Sequence, residues 1–218
     1  MKVGIDGVLL GAWANVDDTN SILDVGTGTG LIALMLAQRS SAELDAIDID
    51  ENAVLQANEN INNSVWNKRI RVQRFSLQDF AQLTSKKYDL IVSNPPYFVN
   101  SLKTLVESRT TARHTDTLSH EELLINAKCL LNNTGRICLI LPVIEGIQCL
   151  NFAKNIGLFC SKKVIIYPKP NTSAKRILLE FNLLPIQLVK SEITIESNER
   201  HSYTPEFTKL VKDYYLKL

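Results

Sequence analysis

An asparagine, two prolines and a tyrosine, Asn94-Pro95-Pro96-Tyr97, close the apolar run Asp89-Leu90-Ile91-Val92-Ser93. Each proline fixes its φ and lacks an N–H, and the residue before each is held extended, so carbonyl oxygens stand out with no donor beside them. Such an acceptor-only wall suits an arylamine. The Asn94 side chain and the Pro95 carbonyl can hold its two hydrogens and draw the nitrogen lone pair out of conjugation, toward a methyl donor. In-line methyl transfer to that nitrogen then rests on orientation and acceptor dipoles rather than on a strong base. Tyr97 offers a ring face for an extruded base, a contact worth about 1–3 kcal/mol in single-strand binding. By itself the motif also reads as a stiff turn after a strand. A second constellation upstream raises its standing.

That constellation is Ile22-Leu23-Asp24-Val25-Gly26-Thr27-Gly28-Thr29-Gly30, an apolar run that passes through three alternate glycines into a helical pattern. The glycines permit positive φ and close backbone approach, so a ligand can lie against the main chain near the helix amino end. Two ligand classes compete. Gly28-x-Gly30-x-x-Ala33 fits the dinucleotide fingerprint loosely, with Asp48 near the expected ~20 residues on for a ribose hydroxyl. Gly26, however, is the glycine directly after the strand, and counted from it the third glycine position falls on Leu31. Asp24, a carboxylate inside the strand end, suits an ammonium better than a pyrophosphate. The balance favours S-adenosylmethionine over NAD. Asp48 ends the next apolar run as the ribose acceptor, with its neighbour Ile49 as a further cofactor candidate, while Asp50 fits the amino end of the following helix.

These residues need a scaffold that presents strand ends. Runs rich in Val, Ile and Leu read as strands over Ser21–Val25, Leu44–Ile49, Arg69–Phe75, Tyr88–Ser93 and Gly135–Leu141. Helical patterns lie between most of them: Thr29–Arg39 is apolar, Glu51–Ile61 puts Val54, Ala57 and Ile61 on one face, and Ser119-His120-Glu121-Glu122 is a capping box. The alternation predicts an α/β fold, a Rossmann-like and mostly parallel seven-stranded sheet with helices on both faces and functional loops at the carboxyl strand ends. Cys160–Tyr167 and Arg176–Leu184 flank the turn-forming Pro168–Ala174 and read as an antiparallel C-terminal hairpin. Thr204, Pro205 and the spacing of Phe207, Leu210, Val211, Tyr214, Tyr215 and Leu218 predict a final amphipathic helix.

The 218 residues suffice for one well-buried α/β core and are too few for two ordinary domains, so one domain over residues 1–218 is expected. A hydrophobic share of 45% and a charged share of 22% exclude collagen-like, low-complexity and disordered classes. No apolar run approaches the ~18 residues of a membrane span, and the short run after Asp6 does not make a signal peptide. Cys129, Cys138, Cys149 and Cys160 show no CxxC pairing and sit in apolar patterns, as thiols of a reducing compartment do, which points to the cytoplasm. His114, His120 and His201 have no metal-ligand spacing, so no metal is expected. Net charge is +1, but residues 1–60 carry −8 and the remainder +9. Such asymmetry fits a polyanion bound by the later part of the chain, and equally two differently solvated surfaces.

Taken together, the chain resembles class I S-adenosylmethionine-dependent methyltransferases of the Asn-Pro-Pro-Tyr type. More narrowly it is similar to the bacterial tRNA(Val) adenine N(6)-methyltransferase family, which modifies the adenosine immediately 3′ of the anticodon, position 37. The similarity runs almost end to end: Lys2-Val3-Gly4-Ile5-Asp6-Gly7-Val8-Leu9-Leu10-Gly11-Ala12-Trp13, the glycine loop, Leu34-Met35-Leu36-Ala37-Gln38-Arg39, Asn94–Tyr97, and Ala112-Arg113-His114-Thr115-Asp116-Thr117-Leu118-Ser119-His120-Glu121. The glycine loop and Asn-Pro-Pro-Tyr specify the superfamily; the opening segment and Arg113–Glu121 specify the family. The resemblance implies cofactor contacts by Asp24, Gly26, Gly28, Gly30 and Asp48, target-amine contacts by Asn94 and Pro95 within the catalytic Asn94–Tyr97 motif, and stacking by Tyr97. Two departures stand out. Family members usually carry a further segment before the match to Lys2, and Ser76 stands where an aspartate usually accepts from the cofactor adenine amine. Ser76 and the adjacent Leu77 complete the cofactor candidates, and weaker cofactor binding is expected.

The implied partner is tRNA, bound by a monomer away from any membrane. Ser161–Leu179 holds Lys162, Lys163, Lys169, Lys175 and Arg176 with no acidic residue, and the loop after Tyr97 holds Lys103, Arg109 and Arg113. Lys103, Arg109, Arg113, Lys169, Lys175 and Arg176 are the phosphate-contact candidates, with solvated surface cations as the plain alternative. Other readings stay open: the same chemistry on a ribosomal RNA guanine or a release-factor glutamine, an NAD-dependent oxidoreductase, or a non-catalytic RNA-binding relic.

Overall fold

The computed structural model describes residues 4–96, 118–199 and 202–215. In chain order the elements are α1 (Ile5–Trp13), β1 (Ser21–Val25), α2 (Leu31–Arg39), β2 (Glu43–Asp48), α3 (Glu51–Asn62), β3 (Ile70–Arg74), α4 (Leu77–Leu83) and β4 (Tyr88–Ser93). They continue with α5 (His120–Leu130), β5 (Leu131–Pro142), α6 (Val143–Asn155), β6 (Phe159–Tyr167), β7 (Arg176–Asn182), β8 (Val189–Thr194) and α7 (Pro205–Val211).

One sheet runs β3-β2-β1-β4-β5-β7-β6-β8. The pairs from β3 across to β5 are all parallel, and β7 is antiparallel to both its neighbours. The mostly parallel sheet and the C-terminal hairpin are therefore as expected. β8 adds an eighth strand, parallel to β6. Central strands are buried on both faces, which is why Leu90–Val92 reads as an unbroken apolar run and Ile22–Val25 is apolar but for the buried Asp24.

Two apolar layers sandwich the sheet. Leu9, Leu10 and Leu36 lie with Ile61 and Phe207 on one face; Phe80, Leu123, Leu124 and Cys149 lie on the other. On the first face α1 and α2 touch closely: a β-carbon on Gly11 would come within 2.8 Å of the Met35 sulfur. Arg39 donates from one guanidinium nitrogen to the carbonyls of Gly11 at 2.7 Å and Ala14 at 2.9 Å, closing the carboxyl end of α1. Ser119 and Glu122 form the expected capping box on α5. Thr204 caps α7 ahead of Pro205, and α7 buries Phe207 and Val211. It ends at Val211, earlier than the apolar spacing toward Leu218 suggests; Leu218 lies outside the described residues.

The strand order turns back on itself between β1 and β4, with successive connections leaving in opposite directions on either side. In open α/β sheets that point opens a crevice at the carboxyl strand ends. The glycine loop after β1 and Asn94 after β4 both face it.

Candidate active site

The glycine loop is left-handed three times: φ is +69° at Gly26, +58° at Gly28 and +81° at Gly30. An L side chain at these positions is strained. Space separates the glycines by purpose. A β-carbon at Gly30 would press to 3.3 Å from Ile61, so that glycine lets α2 and α3 close on each other, whereas one at Gly26 meets nothing within 4 Å. Gly26 thus exposes its backbone to the crevice. The amides of Gly26 and Thr27 donate to the Ile47 carbonyl at 2.9 and 3.0 Å, tying the loop to β2.

Asp48 reinforces that tie. Its Oδ2 accepts from Gly28 N at 2.9 Å and its Oδ1 from Asp50 N at 3.0 Å, so the carboxylate is fixed at the carboxyl end of β2. Asp50 caps α3 by accepting from Asn52 N, the separate role expected of it. Asp24 is fully buried. Its Oδ2 accepts from Thr27 Oγ1 at 2.7 Å and from Ala33 N at 3.2 Å, while Oδ1 is buried with no hydrogen-bond partner among the described residues. Burial is the main force raising its pKa from 3.8 to about 7; the two hydrogen bonds oppose the rise and the Asp48 charge adds to it.

Beyond Asp48 lies a cleft of about 500 Å³ lined by Ile49, Arg74, Phe75, Ser76, Asp79, Gln82 and Leu83. Ile49 and Leu83 are exposed apolar side chains, 48% and 72% accessible, on its walls. Ser76 is engaged locally: its Oγ accepts from Asp79 N at 3.0 Å and donates to Asp79 Oδ2 at 2.7 Å, capping α4. The hydroxyl proton is therefore spoken for, and the carboxylate at the cleft belongs to Asp79, which sequence reading did not single out. The Leu77 side chain turns away into the core, 3% exposed.

β4 leads into the Asn-Pro-Pro-Tyr motif. Ser93 Oγ donates to the Val25 carbonyl at 2.8 Å, buried, and so locks the end of β4 beside the end of β1. Asn94 follows directly, and its Oδ1 is buried with no partner among the described residues. Pro95 is buried and Pro96 exposed. The peptide bonds are trans throughout the described residues. Tyr97, Lys103, Arg109 and Arg113 lie outside the described residues.

The remaining basic candidates sit at the same end of the sheet, because Pro142, ending β5, is paired with Arg176, opening β7. Lys175 is exposed. Lys169 pairs with Glu196 at 2.9 Å, and Arg176 donates from Nε to Asp6 Oδ2 at 2.8 Å in a half-buried setting. Arg176 and Lys169 thus already serve intramolecular partners. Among the described residues no group of three or more His, Cys, Asp or Glu could hold a metal, and no helix is long and apolar enough to cross a membrane. Cys138 and Cys149 are buried free thiols, Cys160 is half-buried, and Cys129 is exposed, unlike the buried position its apolar surroundings suggest.

The open backbone at Gly26, the unpartnered Asp24 oxygen, the anchored Asp48 carboxylate and the Ile49 cleft fit the amino-acid end, the ribose and the adenine of S-adenosylmethionine. The Ala33 amide, at the last position of the dinucleotide fingerprint, is turned to Asp24. A Rossmann-like sheet with these two strand ends side by side is that of an S-adenosylmethionine-dependent methyltransferase. The family of the methyltransferase small domain matches residues 7–145. The tRNA1(Val) (adenine(37)-N6)-methyltransferase of Trichodesmium erythraeum is 49% identical over 220 residues, covering 100% of this chain and 92% of that protein. Its namesake from Parabacteroides distasonis is 50% identical over 218 residues with the same coverage. The chain belongs to the tRNA1(Val) (adenine(37)-N6)-methyltransferase family. Among solved structures, the predicted O-methyltransferase Atu636 from Agrobacterium tumefaciens superposes with a TM-score of 0.73 over 95% of each chain at 19% identity, a likeness of fold.

Proposed function

We propose that this protein methylates the exocyclic N(6) amine of adenosine 37 in tRNA1(Val), in the cytoplasm, as one domain over residues 1–218. The observation that carries the reading is the buried, unpartnered Oδ1 of Asn94 at the carboxyl end of β4, hard against β1. A buried acceptor without a donor costs about 1–3 kcal/mol, a cost that a substrate N–H removes. Bound S-adenosylmethionine supplies an electrophilic methyl group. Asp24 and the Gly26–Gly30 backbone hold its amino-acid end, Asp48 its ribose, and Ile49 with the Ser76–Leu77 turn its adenine.

Asn94 Oδ1 and the Pro95 carbonyl each accept one hydrogen of the target amine, which pyramidalises the nitrogen and takes its lone pair out of conjugation with the ring. Pro95 and Pro96 contribute no N–H that would compete for that lone pair. Tyr97 stacks on the extruded base. The amine proton leaves only after the nitrogen has become cationic, so no basic side chain is required before attack. Lys175, with Lys169, Arg176, Lys103, Arg109 and Arg113, meets RNA phosphates. The relatives' names support the tRNA and the nucleotide.

Transfer of labelled methyl to total tRNA from cells lacking the activity, followed by nucleoside analysis, tests the reading. N(6)-methyladenosine at position 37 of the valine tRNA is the expected product. Label in ribosomal RNA guanine or in a release-factor glutamine would move the substrate and keep the chemistry; tRNA binding without transfer would leave only the RNA-binding relic.

A further inference from the structure

Asp24 uses its two oxygens unequally. Oδ2 takes both donors, the Thr27 hydroxyl at 2.7 Å and the Ala33 amide at 3.2 Å, while Oδ1 has none among the described residues. A carboxylate is two-fold symmetric about its last bond, so some group must decide which oxygen looks inward. Thr27 is built to decide. It is 6% exposed, and its backbone is held on both sides: N–H to the Ile47 carbonyl at 3.0 Å, carbonyl from Gly30 N at 3.0 Å. Its side chain therefore has little freedom to follow Asp24 and instead fixes it.

We propose that Thr27 is a positioning residue for the cofactor: its hydroxyl pins Oδ2 of Asp24 and leaves Oδ1 to meet the α-ammonium of S-adenosylmethionine. The inference rests on the cofactor reading above and adds a proton to it. The ammonium needs Asp24 ionised, and the environment resists ionisation. Asp48 on β2 is the charged neighbour that acts on Asp24; β4 presents Val92 and Ser93, and α2 presents Ala33, all uncharged. The Thr27 hydrogen bond lowers the proton affinity that burial raises. Cofactor affinity then falls on the acid side as Asp24 protonates, and on the alkaline side as the ligand's amino group loses its proton.

Calorimetric titration of the whole protein with S-adenosylhomocysteine and with 5′-methylthioadenosine, which has the nucleoside and thioether but no amino-acid end, tests this without methyl transfer. Thr27→Val should weaken S-adenosylhomocysteine by about ten-fold or more near neutral pH, the scale of one hydrogen bond to a charged group. It should also shift the acid limb of the affinity profile to higher pH, and leave 5′-methylthioadenosine within about two-fold. Thr27→Ser should restore both affinity and profile; should Thr27→Val not fold, Thr27→Ala is measured the same way. Equal weakening of both ligands, or an unmoved acid limb, overturns the role of Thr27. Failure of the wild-type protein to bind either ligand overturns the cofactor reading itself, and this inference with it.

Discussion

Arg176 at the start of β7 donates from Nε to Oδ2 of Asp6 in the first turn of α1, at 2.8 Å and 170 positions away in sequence. The pair pins the amino end of α1 to the sheet end that carries Asn94 and the glycine loop. Arg176→Ala should lower unfolding stability by roughly 1–3 kcal/mol in urea denaturation. Asp6→Asn should remove much of the same increment, so the double variant costs little more than either single one. Additive losses would show that the two residues do not depend on each other.

In the proposed reaction Asn94 is the acceptor on which the chemistry turns. Asn94→Ala should reduce the single-turnover rate of methyl transfer by about 10²–10³, the scale seen when one preorganised group is removed from a reaction centre. S-adenosylhomocysteine affinity should stay within about two-fold, because Asn94 follows β4 and is not in the glycine loop. An unchanged rate would remove Asn94 from the reaction.

Asp24 makes the protein without cofactor sensitive to pH. Burial raises its pKa from 3.8 to about 7, so between those values the folded protein holds a proton that the unfolded chain has released. Stability therefore falls as pH rises through that window, and the whole cost stands above about 7. Asp24→Asn cannot ionise and should be more stable than wild type at alkaline pH by on the order of a few kcal/mol, seen as a higher unfolding temperature, with the gap closing near pH 4. Scanning calorimetry over pH measures it. A gap that does not change with pH would mean that Asp24 titrates normally.

Lys175 is exposed at the hairpin tip and sits apart from the Asp6 pair. Lys175→Ala should weaken tRNA binding and reduce the slope of log affinity against log salt by about 1, with unfolding unaffected. An unaltered slope would place the RNA elsewhere.

The parts legible in sequence were those fixed by local chemistry. Buried parallel strands are mostly apolar, the left-handed turns after β1 demand glycine, and Ser119 and Thr204 announce helix starts because their hydroxyls accept from the amides of Glu122 and Phe207 three residues on. What stayed hidden depends on distant partners. α1 starts at Gly4 without a side-chain cap, and α6 starts after Pro142 without one, so neither signals its beginning. β8 is exposed along Val189–Glu192 and lacks the apolar alternation of a half-buried strand. Arg176, a phosphate candidate by sequence, also meets Asp6, a partner 170 positions away that only the fold brings to it. Ser76, an adenine-side candidate, also closes its hydroxyl on Asp79 three residues on, a contact the sequence alone does not show. Thr27 could not be weighed from sequence, because its meaning lies in which oxygen of Asp24 it takes.

The antiparallel pairing of β5 with β7 divides a fixed register from a free overhang. Pro142↔Arg176, Leu141↔Ile177 and Ile140↔Leu178 anchor the hairpin inside the sheet, while residues 168–175 overhang the same end as the amine-binding motif. Insertions or deletions in that overhang change its reach without shifting a single registered pair or touching the glycine loop. The scaffold thus separates a registered strand pair from an overhang whose length is free to vary beside Asn94.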